Sequence, residues 1–254
     1  MADKSGRNAE RLVSLATQRF GKLSEYETRV LRASADDDCI ICETTRIEAD
    51  SDSADNPAKA DTLWGKEREV QASLIRWLCV VSEASRCVAP RGIQVRGARI
   101  TGLLDLSAVV IPFPLSLLQC RLGKLDLRYA TIPLLLLGGS LIESLNADGA
   151  KVRTMAFLNE GFSAREVRLV GANVGGTLDF RRATLKTLAV ALHADRLWVK
   201  GNVLFDGFSS DGDIGMSDAQ IGGILVCEGG KFAGLNLQRT GEIEKGAPLH
   251  SAPE

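Results

Sequence analysis

Histidine and aromatic side chains are scarce: two histidines, two tyrosines, three tryptophans and eight phenylalanines in 254 residues, with aromatics at 5%. His250 lies in a polar C-terminal stretch, and His193 has no serine or cysteine beside it in sequence, which argues against a nucleophilic triad. Few aromatics also leave no stacking platform for single-stranded nucleic acid. An apolar leader is missing from the opening residues, MADKSGRNAE, so a cytoplasmic chain is expected. The most apolar stretch, PFPLSLLQCRLGKLDLRYATIPLLLLGGSLI from 112, is broken by Arg121, Lys124, Asp126 and Arg128. It therefore falls short of the roughly 20 uninterrupted apolar residues of a membrane helix. Strands facing the inside of a solenoid are expected there instead. Six cysteines without a leader imply reduced thiols rather than a disulfide framework.

Net charge is also nearly absent, at -1, but its distribution is uneven. Residues 91–200 hold 15 Lys/Arg against 8 Asp/Glu, whereas residues 1–90 hold 13 against 16 and residues 201–254 hold 3 against 8. A basic middle between acidic ends could attract an anionic partner, although a solvated mixed-charge surface is the simpler reading.

What is abundant is repetition. GFSAREVRLVGANVGGTLDFRRATL at 161–185 returns as GFSSDGDIGMSDAQIGGILVCEGGKF at 207–232. From Ala98 a small residue recurs at Ala108, Cys120, Ala130, Ser140, Ala150, Gly161, Ala172, Ala183, Ala194, Gly207, Ala219 and Gly230. Two positions after most of these stands a bulky apolar residue, such as Ile100, Ile132, Val174 or Leu185. Side chains two apart share one face of a strand, so each small–bulky pair points inward, and a corner must follow. Gly102, Gly123, Gly175, Gly176, Gly222 and Gly223 are placed at such corners. Two steps make one coil of roughly 22 residues, and stacked coils bury an apolar column that no single coil can bury. The fold expected is mainly β, a right-handed parallel β-helix or solenoid of about six coils with an N-terminal α-helical cap.

Residues 1–90 are read as the cap region, 91–238 as the solenoid and 239–254 as a flexible tail. Within the cap, Ser24 and Glu27 fit a capping box. Val70, Leu74, Ile75, Leu78 and Val81 have the spacing of an amphipathic helix. Residues 49–60 are acidic and Ser/Asp-rich and read as a mobile loop.

At the stretches Ala98-Arg99-Ile100, Ala130-Thr131-Ile132, Ala172-Asn173-Val174, Ala183-Thr184-Leu185 and Ala219-Gln220-Ile221 the chain resembles the pentapeptide-repeat proteins. It looks still more like a divergent bacterial group with coils of the form Gly-Ala-x-Ile-x-Gly-x-Leu-Asp-Leu, as in GARITGLLDL from 97 and GANVGGTLDF from 171. The resemblance covers somewhat over half the chain and implies a four-sided right-handed solenoid. Some members of the family imitate DNA with a strongly acidic rod, which a basic middle does not match.

Among residues with chemical potential, Cys39 and Cys42 form a CxxC that could hold zinc or a redox pair. The second ligand pair and the βαβ setting are missing, so buried thiols on a small strand are favoured and no metal or cofactor is expected. Glycine-rich VGANVGG lacks the strand–loop–helix setting of a dinucleotide site. Asp105, Asp126 and Asp179 are expected to face outward in a column, more often a turn-bonding feature than paired acids. Arg96, Arg99, Lys124, Arg128, Arg181 and Arg182 fall on or near outward positions, with Asp179 beside the last two. The surface residues singled out are Arg96, Arg99, Arg128, Asp179, Arg181 and Arg182. The leading expectation is a non-enzymatic scaffold for protein–protein interaction or self-association through a flat solenoid face or an end. The alternatives are anion or nucleic-acid binding through a basic face, with nucleic acid the less favoured partner, and an enzyme with a carboxylate site on a face.

Overall fold

The computed structural model describes residues 2–36 and 56–236. Cys39 and Cys42, the tail from 239, and most of the loop expected at 49–60 lie outside the described residues. Two helices, α1 (Ala2–Phe20) and α2 (Glu25–Asp36), open the chain. The capping box forms as expected: the Glu27 backbone N–H donates to Ser24 Oγ at 3.0 Å, and the Ser24 N–H donates to Glu27 Oε2 at 3.0 Å. Glu27 is itself buried and accepts a further bond from the Gln71 N–H at 3.1 Å, tying the helix start to the first strand. A short helix, α3 (Ala60–Leu63), follows.

The amphipathic helix is shorter than its spacing implies. Val70 lies in a strand, β1 (Glu69–Gln71), and the helix α4 runs over Ala72–Val80. β1 pairs in parallel with Arg99–Thr101, so the cap supplies the first rung of the main sheet. A strand edge needs backbone partners, and that need overrides the helical period at Val70. Val81, expected on the apolar face, is exposed.

Beyond β1 the chain winds as a parallel β-solenoid of about six turns. Three sheets, A, B and C, contain ten, seven and five strands. Along sheet A, Arg99 pairs with Arg121, then Leu141, Ser163, Thr184, Ser209 and Lys231, giving coils of 22, 20, 22, 21, 25 and 22 residues. The 25-residue coil carries the extra loop around Leu188, which projects into solvent.

The long strands of sheet A reveal how a coil closes. In Ser163–Arg168 the buried residues are Ala164 and Val167, three apart. A straight strand would send these to opposite faces, so this one bends between them and leaves Arg165 and Glu166 outside. One coil then has four inward pairs, all buried: Phe162 with Ala164, Val167 with Leu169, Ala172 with Val174, and Leu178 with Phe180.

Corner chemistry differs from expectation. Gly102 does take a positive φ of 90°, but Gly123 lies inside the strand Arg121–Asp126. Gly175 is required by close approach, because an added Cβ would lie 2.0 Å from the Arg153 carbonyl oxygen of the preceding coil. The left-handed corner falls one residue before the inward small residue, at Tyr129 (φ 57°), Gly171 (φ 62°) and Arg182 (φ 56°). Each closes a turn in which the following N–H donates to the carbonyl three residues back, as Ala130 to Leu127 at 2.9 Å and Ala183 to Phe180 at 3.0 Å. The small-residue ladder is corrected accordingly at Gly161 and Gly207. These are corners, and their successors Phe162 and Phe208 point inward and are fully buried. Phe208 joins Phe180, Phe205 and Phe232 in a cluster with ring centroids 4.9 to 6.0 Å apart.

Candidate interaction surface

The apolar stretch from 112 does not face the interior alone. In the segment Pro133 to Ser140, Leu135 and Leu137 are buried, whereas Leu134 and Leu136 take the alternate, outward positions and are only partly covered. The same holds along the outside of sheet B. Its register places Ser116, Leu136, Phe157, Asp179, Leu204 and Val226 in one column. Two residues earlier in each coil stand Leu134, Met155, Thr177, Asn202 and Ile224, of which Met155 is 40% and Ile224 60% exposed. By contrast, the outer column of sheet C reads Thr131, Lys151, Asn173, Trp198 and Gln220, and that of sheet A includes Asp126, Asn146, Arg168 and His193. Sheet B thus presents an apolar outer face where its neighbours are largely polar.

At the centre of that face stands Asp179. Its carboxylate, expected to meet solvent, is 0% exposed. It lies in the column between Phe157 and Leu204 and is held by five hydrogen bonds. The Arg181 backbone N–H donates to Oδ1 at 2.9 Å, Arg181 Nε to Oδ1 at 3.0 Å and to Oδ2 at 3.1 Å, Nη2 to Oδ2 at 2.7 Å, and Asn159 Nδ2 donates to Oδ2 at 2.8 Å. A carboxylate can be buried on this scale only with such compensation. The Asp179 carboxylate in turn pushes the Arg181 guanidinium above its ordinary range. Arg182 pairs with Glu160. Asp206, one coil on, has a buried Oδ1 with no hydrogen-bond partner among the described residues.

The other candidates are not gathered here. Arg96 is buried, contrary to its expected outward position, and its Nε donates to Gln119 Oε1 at 2.7 Å. Arg99 donates to the Ala60 carbonyl, across to the cap. Arg128 is engaged by Asp126 at 2.6 Å on a different side of the solenoid. Asp105 and Asp126 are paired neighbours on sheet A, while Asp179 is on sheet B, so the three acids do not form one column. Their common role is local: Asp105, Asp126 and Asp179 each accept the N–H two residues on, at 2.9, 3.0 and 2.9 Å, fixing the start of a corner. Ser107, bonding through its hydroxyl and its N–H, holds the Asp105 carboxyl below its usual range.

Sequence reasoning found Asp179, Arg181 and Arg182 but missed Leu134, Leu136, Met155, Phe157, Leu204 and Val226. The signal was available in the uninterrupted Leu134-Leu135-Leu136-Leu137. A strand apolar at every position is apolar on both faces, the pattern of a sheet covered on both sides.

Among the described residues, no three His, Cys, Asp or Glu side chains group as a metal site, and no helix is long and apolar enough to cross a membrane. No family model, curated protein or solved structure matches the sequence.

Proposed function

We propose that this protein is a non-enzymatic β-solenoid scaffold that binds protein through the outer face of sheet B. The observation that carries this reading is the double-sided apolar character of that sheet, with Leu134, Leu136, Met155, Phe157, Leu204, Ile224 and Val226 on the side away from the core. Apolar surface gathered on one face and edged by polar groups favours association with another apolar surface. The rim has groups that can set orientation, namely Arg181, Arg182, Glu160 and Asp206. Against a nucleic-acid interface, Arg128, Arg168, Arg181 and Arg182 are each matched by a carboxylate, at Asp126, Asp148, Asp179 and Glu160. A surface already neutralised in this way releases few counterions on meeting phosphate.

The test is photo-crosslinking in cells from a reactive side chain placed at Leu136, with Arg165 on the outer face of sheet A as the control position. Protein adducts from position 136 in excess of those from 165 are expected. Equal or absent adducts at 136 overturn the assignment of this face.

A further inference from the structure

We infer that the occupant of the sheet B face is a second copy of this chain, packed face to face with its solenoid axis antiparallel. This rests on the reading of that face as a protein-binding surface and adds the identity of the partner.

The argument is the symmetry of the residue pattern. Counted from the Asp179 row, the column has Phe157 one coil before and Leu204 one coil after, then Leu136 two before and Val226 two after. Over these five rows the pattern is apolar, apolar, charged, apolar, apolar, and the polar rows of Gln94 and Ser116 lie beyond it. A two-fold axis lying in the interface along the strand direction keeps each column on itself and inverts the order of coils. It sets Phe157 against the partner's Leu204, Leu136 against the partner's Val226 and Leu134 against the partner's Ile224, with Met155 against the partner's Asn202 the one mixed pair of these two columns. Asn159 and the partner's Asp206 then lie across from one another at the polar edge of the face. The two Arg181 side chains meet at the axis, each already neutralised by its Asp179 and about one strand spacing, roughly 4.8 Å, from the partner's Asp206 row. The parallel arrangement, with the two-fold along the solenoid, exchanges the flanking columns. It would set Ile224 against Glu228 and Met155 against Asn159, apolar against polar. A self-complementary face of this kind is what an isologous dimer requires.

Size fixes the strength. The five rows that the two-fold overlays, from Leu135–Leu136 to Leu225–Val226, span four spacings, about 19 Å, and the outward residues cover about 13 Å across each coil. The flat footprint of roughly 250 Å² is well under the ~800 Å² per partner of a standard interface. A dimer in exchange with monomer at micromolar or higher concentration is the consequence.

Sedimentation velocity of the full chain from about 1 μM to about 500 μM reads this directly. Weight-average mass is expected to rise toward the dimer, and Phe157→Lys or Leu204→Glu alone to weaken association at least about tenfold. Mixing the two variants is expected to restore dimer, because the introduced lysine of one chain then faces the introduced glutamate of the other. Rescue also shows that both variants are folded. A wild type monomeric throughout overturns the inference, as does a mixture that fails to dimerise when each variant alone is monomeric. A monomeric wild type that still forms adducts from position 136 with other proteins would overturn this inference and leave the scaffold reading standing.

Discussion

Asp179 and Arg181 illustrate how one residue can hold a surface in shape. The Asp179 carboxylate is fully buried, and Arg181 supplies four of the five hydrogen bonds described above. Replacing Arg181 by alanine leaves the backbone N–H and Asn159 but removes the countercharge. Arg181→Ala is therefore expected to cost about 3 kcal/mol, whereas Asp179→Asn is expected to cost less because no buried charge remains. Urea unfolding of the two variants compares these values. Arg182→Ala breaks only an exposed pair and is expected to cost under about 1 kcal/mol. Cys79 offers a second residue-scale expectation. Burial pushes its thiol up from 9.0 to about 12, so the native side chain resists alkylation at pH 8 and reacts only on unfolding. Because the folded value is the higher, this contribution to stability is present below pH 9.0 and is lost as pH rises toward about 12. Mass-spectrometric alkylation rates across that range check both statements.

The unit at the scale of elements is the coil, and glycine has two distinct jobs in it. At Gly171 the space is open but φ is 62°, so Gly171→Ala strains only the backbone, by about 1 kcal/mol. At Gly175 the added Cβ would lie 2.0 Å from the Arg153 carbonyl oxygen, and the coils must separate to admit it. Gly175→Ala is expected to cost about 3 kcal/mol or more, and thermal melts should separate the two variants clearly. Coil periodicity is legible in the sequence because small–bulky pairs such as Ala130–Ile132 and Ala172–Val174 repeat at strand spacing. Corner placement is not. A left-handed residue such as Tyr129 or Arg182 carries no composition signal, and the turn at 160–161 differs from its neighbours by placing both Glu160 and Gly161 at positive φ. Val70 departs from its helical spacing for a similar reason, since a three-residue strand inside a helical period is chosen by its partner, Ile100.

On the scale of the whole molecule, the core is continuous from Ala9 of the cap to Met216. In the final coil, Ile221, Leu225, Cys227 and Phe232 pack against it while only partly buried. Stability of such a stack is close to a sum over coils and their contacts. Phe205 touches three other rings, so Phe205→Ala is expected to remove about 3–5 kcal/mol from the C-terminal coils. Hydrogen exchange reads the locality: amides in Ser209–Gly215 should lose protection while Leu115–Leu118 keeps most of its own.

By itself the sequence determined that the chain is a β-solenoid of about six turns with N-terminal helices. Period is a local property, repeated often enough to survive individual exceptions. The tertiary structure alone decided what faces outward together. Leu136, Phe157, Leu204 and Val226 lie 21, 47 and 22 residues apart in sequence and become neighbours of Asp179 only through the parallel register of sheet B. Register depends on how many residues each coil spends at its corners, and coils of 20 to 25 residues shift that count from turn to turn. A surface assembled from one or two residues per coil therefore has no contiguous signature beyond the single run Leu134-Leu135-Leu136-Leu137, which is why the arginines stand out in the sequence and the rest of the apolar face does not.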